Sequence, residues 1–256
     1  MANVKTIAQV LKRMKQIDKE LDSDDGVKWF NRLYLAVTQA VVDNVGAMPQ
    51  KAPGFLERLD IVFSNLYFDA FDAAAGQKRL PDDYRFRAWK PLFDRRHRPD
   101  IAPIQFALAG MNAHINHDLG LAVQDVCRER GVTVDRDSGE YRDYTAVNGL
   151  IERVERDVKV WLLSGALHEV DRRFGPVDDV IAIWSVTAAR DAAWTHSQVL
   201  SHLRDAGFIE RHYREVLDRT TGAYSRALLR PVGFFEGAPL IPLVVDAKAL
   251  AATLPA

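Results

Sequence analysis

Apolar residues recur every three or four positions along most of the chain, which is the spacing of a helix with one buried face. The pattern predicts helices at Val4–Leu21, Gly26–Val45, Phe55–Ala74, Pro103–Arg130, Thr145–Phe174, Val177–Ala206 and Phe208–Leu229. Prolines in the segment from Gly76 to Pro103 leave room only for short helices there. We therefore expect an all-α fold in which residues 1–256 form a single domain of about eight to ten helices, with an irregular tail after Pro231.

Composition narrows the class of protein. The chain has 256 residues and a net charge of −1, so it has no overall attraction to nucleic acid or acidic membranes. Its one cysteine, Cys127, excludes an intrachain disulfide and a cysteine-based zinc site. The basic segment from Arg85 to Arg98 is more typical of a solvated loop than of a nucleic-acid site. We find no targeting signal and no membrane-spanning run, and we expect a cytoplasmic protein without a membrane partner.

The longest predicted helix carries two rows of polar residues, one along each edge of its apolar stripe. One row consists of His114, Asp118 and Asp125, and the other consists of Gln105, Asn112 and Asn116. At helical spacing His117 points to the opposite side of the helix. His114 and Asp118 are four residues apart, so their side chains can meet. Such a pair can ligate a metal ion, the carboxylate can orient the imidazole for proton transfer, or the two can form a structural hydrogen bond.

Charged residues also lie beside apolar stripes on two other predicted helices. Asp60 lies within an apolar face that includes Tyr67. A carboxylate directed at a core is costly unless it has a cation, hydrogen-bond donors or a proton. Arg190 and Trp194 are four residues apart on a third helix, and this spacing predicts a cation–π pair.

The segments WFNRLYLAVTQAV, LDIVFSNLYFDA, GMNAHINHDLGLA and ARDAAWTHSQVL resemble a mostly bacterial family, domain of unknown function 5995. The resemblance covers about Trp29 to Arg230. The residues that match positions of the family pattern are Asp60, Tyr67, Asn112, His114, Asn116, Asp118, Arg190 and Trp194. His117 falls at a variable position of the family pattern. The family has no established activity, so the resemblance implies positions and leaves the reaction open.

Two hypotheses follow. In the first, the protein is an enzyme for a small molecule, in its simplest form a metal-dependent hydrolase. Asp60, His114 and Asp118 would then hold zinc, manganese or non-haem iron, and Arg190 would bind an anionic group of the substrate. Further substrate contacts would come from Tyr67, Asn112, Asn116 and Trp194. In the second, the protein holds no metal, and Asp60 or Asp118 pairs with Arg190 in a buried network. It would then be a binding or scaffold protein, or an acid–base enzyme without a metal.

Overall fold

The computed structural model describes residues 3–76, 86–154, 156–157 and 185–231. Its helices are α1 (Ile7–Glu20), α2 (Gly26–Val45), α3 (Phe55–Ala74), α4 (Lys90–Arg95), α5 (Pro103–Ala113), α6 (Gly120–Glu129), α7 (Gly139–Ala146), α8 (Val186–Leu203) and α9 (Gly207–Leu228), and a π segment (His114–Leu119) joins α5 to α6. All regular secondary structure in these residues is helical, which confirms the predicted all-α class.

Most helix boundaries agree with the sequence pattern to within a few residues. Two predictions differ more. The helix predicted at Thr145–Phe174 is interrupted, because α7 ends at Ala146 and residues 148–154 form a further helical stretch. The helix predicted at Val177–Ala206 is not continuous, because Ser185 is an extended N-cap and α8 begins at Val186. The remainder of Thr145–Phe174, the first part of Val177–Ala206 and the tail after Pro231 lie outside the described residues. None of the helices described combines the length and the apolar content that crossing a bilayer requires.

Polar side chains fix where several helices begin. Asp25 accepts a hydrogen bond from the backbone N–H of Val27 at the start of α2, and Ser185 accepts one from Ala188 at the start of α8. These residues satisfy N–H groups that have no partner within a helix. Asp25 also forms an ion pair with Arg96, so the start of α2 is tied to the end of α4.

The helix running through α5, the π segment and α6 lies at the centre of the core. Helices α2, α3, α8 and α9 pack around it. Helix α2 approaches α5 so closely that a Cβ atom at Gly110 would lie 2.3 Å from Cγ of Phe30. Glycine at this position therefore permits the close packing of α2 against the central helix.

The π segment interrupts this central helix at HINHDL. A π turn closes i→i+5 hydrogen bonds, so it is wider than an α turn, and π segments in proteins occur frequently at functional sites. The wider turn also changes which side chains share a face. Five of its six residues are buried, including both histidines and Asp118.

Candidate functional site

A cavity of about 100 Å³ lies between α2, α3, the π segment and α8. Most of its wall consists of aliphatic and aromatic side chains, among them Leu33, Val37, Leu56, Phe63, Met111 and Ile115. Its polar lining comes from Tyr34, Thr38, Asp60, His114 and Arg190. Of the predicted site residues, the cavity wall therefore brings together Asp60, His114 and Arg190.

His114 has one bound and one free ring nitrogen. Its Nδ1 lies 3.1 Å from Oδ2 of Asp118, so the two side chains meet as their spacing predicts. Its Nε2 is buried and has no hydrogen-bond partner in the part of the chain that the structure describes. The ring stacks on Phe63 with centroids 3.5 Å apart. Burial lowers the pKa of His114 below its ordinary value, in spite of the nearby Asp118 carboxylate, so the neutral ring is favoured.

Asp118 lies behind His114 and does not line the cavity. Its carboxylate is fully buried and accepts hydrogen bonds from three ring N–H groups: Trp89 Nε1 at 3.0 Å, His114 Nδ1 at 3.1 Å and His117 Nδ1 at 2.7 Å. Burial raises the pKa of Asp118, but the hydrogen bonds from the two histidines outweigh burial and hold it below its usual range. Since an ionised carboxylate only accepts, both histidines carry a proton on Nδ1.

The outward direction predicted for His117 is wrong. The side chain is buried between Asp118 and Asp218, with its Nε2 3.8 Å from Oδ1 of Asp218. The prediction used the angular spacing of an α-helix, and the π segment does not follow that spacing. Asp218 accepts backbone hydrogen bonds from Arg87 and Ala88, so this network links the π segment to α9 and to the segment before α4.

Asp60 is partly buried in the cavity wall, and the hydroxyl of Tyr34 lies 3.4 Å from its Oδ1. Tyr34 also shares a hydrogen bond of 2.7 Å with Ser64. Burial raises the pKa of Asp60 to about 7, and the Tyr34 hydroxyl opposes this only in part. Asp60 is therefore a carboxyl group that takes up and releases a proton near neutral pH. The sequence analysis missed Tyr34, although it lies in one of the segments that carry the family resemblance.

Arg190 is buried in the opposite part of the lining, with 7% of its surface exposed. Its Nε donates to Oδ1 of Asn148 at 2.7 Å, and its Nη2 donates to the carbonyl of Tyr144 at 2.7 Å. The predicted stacking partner was Trp194, but the guanidinium lies over the ring of Tyr144, 4.0 Å from its centroid. Trp194 packs behind Tyr144 and lies outside the cavity lining. The four-residue spacing is compatible with either arrangement, and the position of Tyr144 decides between them.

The other residues predicted to contact substrate lie elsewhere. Asn112 donates to the carbonyl of Thr221 at 3.0 Å and to Oγ of Ser225 at 2.8 Å, so it binds α9. Asn116 donates to Oδ1 of Asn112 at 2.9 Å. Tyr67 is fully buried and donates to Oδ1 of Asn31 at 3.2 Å. None of the three lines the cavity, and their hydrogen bonds hold helices together.

The predicted metal ligands do not converge. Among the described residues, no three His, Cys, Asp or Glu side chains are grouped so that they could hold a metal ion. Both oxygens of Asp118 already accept N–H groups, and the ring of His114 stands between them and the cavity. Asp60 and His114 are therefore the two predicted ligands that face the cavity.

The fold and site define an all-α protein whose central helix holds a hydrogen-bonded histidine–aspartate pair, with the imidazole in the wall of an apolar cavity. The chain belongs to the family of unknown function DUF5995, whose model matches residues 7–231 and so covers most of the chain. Searches of the curated proteins and of the solved structures gave no match.

Proposed function

We propose that this protein is an enzyme that transfers protons on a small molecule bound in the cavity, with His114 as the base. The observation that carries the proposal is the buried Nε2 of His114, a residue of the cavity wall, because this atom has no partner in the described part of the chain. A buried polar atom without a partner is costly, so natural structures keep few of them and each has a reason.

The hydrogen bond to Asp118 supports the role of His114 as a base. It holds the ring in the tautomer with a proton on Nδ1, which leaves the lone pair on Nε2 free to accept a proton. Carboxylates orient catalytic imidazoles in this way in several unrelated enzymes. The lowered pKa of His114 keeps the ring unprotonated at neutral pH, as a base must be.

Asp60 supplies a group that can act as the matching acid, because its pKa of about 7 leaves much of it protonated at neutral pH. Hydrolysis is the simplest reaction for such a pair. As the oxygen of a water molecule bonds to a carbonyl carbon, Nε2 of His114 takes the proton of the water. As the bond to the leaving group breaks, the leaving atom takes the proton of Asp60.

Metal-assisted hydrolysis remains a second form of the proposal. A divalent ion in the cavity would have Nε2 of His114 and the carboxylate of Asp60 as its protein ligands, whereas catalytic zinc sites use three protein ligands. The donor set therefore supports a base acting directly on water more strongly than a metal-bound water.

Nitrogen NMR of histidine-labelled protein tests the proposal, with His114→Asn to assign the signal among the 7 histidines. We expect a neutral ring with a protonated Nδ1, an unprotonated Nε2 and a pKa below 6.5. The exposed His97 provides a control, since His97→Asn should leave the His114 signal unchanged. A proton on Nε2 at neutral pH would contradict the role as a base. Added zinc, manganese or ferrous iron would perturb Nε2 only if the metal form is correct.

Hydrolysis of nitrophenyl esters of short-chain acids gives the activity readout. A general base contributes roughly 100-fold to 10,000-fold in rate, so His114→Asn should lose about that much while His97→Asn retains full activity. Equal rates for the wild type and His114→Asn would rule out His114 as the base. If the protein hydrolyses none of the esters, the result favours the metal-free binding protein over the hydrolase.

A further inference from the structure

The cavity wall includes a buried arginine, Arg190, whose described contacts are with neutral groups. The guanidinium of Arg190 meets an amide oxygen, a backbone carbonyl and the ring of Tyr144, and no carboxylate among the described residues forms an ion pair with it. Its remaining nitrogen, Nη1, makes no hydrogen bond within those residues. Because a buried charge is costly unless it is paired, arginines with only 7% of their surface exposed normally have an anionic partner.

The other ionisable groups of the cavity cancel this charge only in part at neutral pH. Burial keeps His114 neutral and raises the pKa of Asp60 to about 7, whereas a guanidinium remains protonated. Tyr34 is neutral as well, because burial and the nearby Asp60 both raise its pKa. Among these groups, the charge that persists at every pH near neutrality is therefore the positive charge of Arg190.

Apart from its few polar residues, the cavity wall is apolar. Val37, Leu56, Leu59 and Ile151 are among the side chains that form it. The volume of about 100 Å³ is smaller than an apolar cavity of roughly 150 Å³ that holds benzene, so the bound part of a ligand is small. These features describe a compact molecule with an apolar body and one anionic end.

We propose that the ligand of this cavity is a small apolar carboxylate and that Arg190 binds its carboxylate group. This inference rests on the proposed function, since it names the substrate class of the same site. The planar fork of a guanidinium matches a carboxylate, and the bond is strengthened by the low dielectric of the cavity. The apolar body then lies toward His114, where the reacting bond is placed beside Nε2.

Calorimetry with matched probes tests the proposal on the wild-type protein. The probes are butanoate, hexanoate and octanoate, each with the alcohol and the amine of equal length, and hexyl phosphate as the other anion. A charge-assisted hydrogen bond is worth about 10-fold to 100-fold in affinity, so each carboxylate should bind at least about tenfold more tightly than its alcohol. Equal binding of carboxylates and alcohols, tighter binding of amines or of hexyl phosphate, or no binding of any carboxylate would overturn it.

Two substitutions at Arg190 and one control test whether Arg190 causes the preference for carboxylates. Arg190→Gln should remove the preference for carboxylates, and Arg190→Lys should restore part of it, provided that circular dichroism shows that both variants are folded. Arg136→Gln is the matched control, because Arg136 is an exposed arginine that pairs with Asp191, the neighbour of Arg190. A preference that survives in Arg190→Gln, or that disappears equally in Arg136→Gln, would contradict the assignment.

The same measurement on His114→Asn separates this inference from the proposed function. If Arg190 binds the carboxylate, His114→Asn should keep the preference even though it cannot act as a base. If the wild type shows no preference while His114 retains an unprotonated Nε2 and its effect on hydrolysis, only the carboxylate assignment fails. If the preference is present but hydrolysis does not depend on His114, only the enzymatic role fails.

Discussion

The two polar rows of the central helix differ in how completely their hydrogen bonds are made. Gln105 and Asn112 face α9, and their amide groups bind backbone and side-chain atoms there. His114, two residues beyond Asn112, faces the cavity and leaves Nε2 without a partner in the part of the chain that the structure describes. Both positions are buried to nearly the same extent, with 1% of Asn112 and 2% of His114 exposed.

This difference shows that burial and polarity alone do not identify a functional residue. Asn112 and His114 both belong to the pattern that resembles the family, and each is expensive to bury. Satisfied hydrogen bonds account for the Asn112 row as packing, whereas the incomplete set at His114 is what the proposed ligand would complete. The comparison therefore rests on what each row contributes to stability, and substitutions can measure that contribution.

The largest expected effect is the loss of stability on replacing Asn112. Asn112→Ala removes three hydrogen bonds at a buried position and leaves the Asn116 amide without its acceptor, so it should lower the free energy of unfolding by about 3 kcal/mol. Urea denaturation measures this change. Asn116→Ala, which removes only the outer hydrogen bond, should cost about 1 kcal/mol or less. A cost below 1 kcal/mol for Asn112→Ala would contradict the structural role of this row.

A smaller effect of opposite sign is expected at Asp60. The folded pKa of about 7 lies above the ordinary value of 3.8, so the folded state binds more protons than the unfolded state between these pH values. Wild-type stability therefore decreases as pH rises from about 4 to about 7 and stays reduced above that. Asp60→Asn lacks this penalty and should be more stable than the wild type by about 2 kcal/mol at pH 8.

Thermal unfolding at a series of pH values measures the Asp60 effect. The advantage of Asp60→Asn should shrink as pH falls and vanish well below the ordinary pKa of 3.8, where the wild-type carboxyl is protonated in both states. Asp94→Asn is a suitable control, because Asp94 is an exposed carboxylate on α4. An Asp60→Asn variant that is less stable than the wild type at pH 8 would show that the carboxylate is needed for folding.

The smallest effect is expected at His114. His114→Phe keeps an aromatic ring against Phe63 and removes the buried Nε2, but it loses the hydrogen bond to Asp118, which retains Trp89 and His117 as donors. These gains and losses should leave the free energy of unfolding within about 1 kcal/mol of the wild type. Calorimetric unfolding checks this value. A loss of more than about 3 kcal/mol would place His114 in the same structural class as Asn112.

Contacts within one helix were predicted only in part, since the pair of Arg190 with Trp194 does not form although the two are four residues apart. Apolar periodicity predicted the helices, and the four-residue spacing predicted the contact of His114 with Asp118. The direction of His117 was missed because nothing in the composition of HINHDL distinguishes a π turn from an α turn. Whether this segment forms a π turn depends on the helices packed around it.

The sequence pattern could not predict contacts between helices. Tyr144 lies under Arg190 and Tyr34 lies beside Asp60 because of how separate helices cross, and those crossing angles follow from the packing of the whole core. The sequence therefore predicted three polar residues of the cavity, Asp60, His114 and Arg190. It could not separate them from Asn112, Asn116 and Tyr67, whose partners are distant in the chain.

Because of the π segment, the two halves of the central helix, α5 and α6, are rotated independently about the helix axis. An i→i+5 turn contains one residue more than an α turn, and each added residue rotates everything that follows by about 100°. The face that α5 presents to α9 and the face that α6 presents to α8 are thus set separately, with His114 at the junction. Deleting a residue of the π segment would restore an uninterrupted α-helix and turn one half of the central helix out of register with its neighbours. A residue inserted into or deleted from this segment would rotate α6 by about 100° against α8 while Asn112 and the rest of α5 kept their contacts with α9.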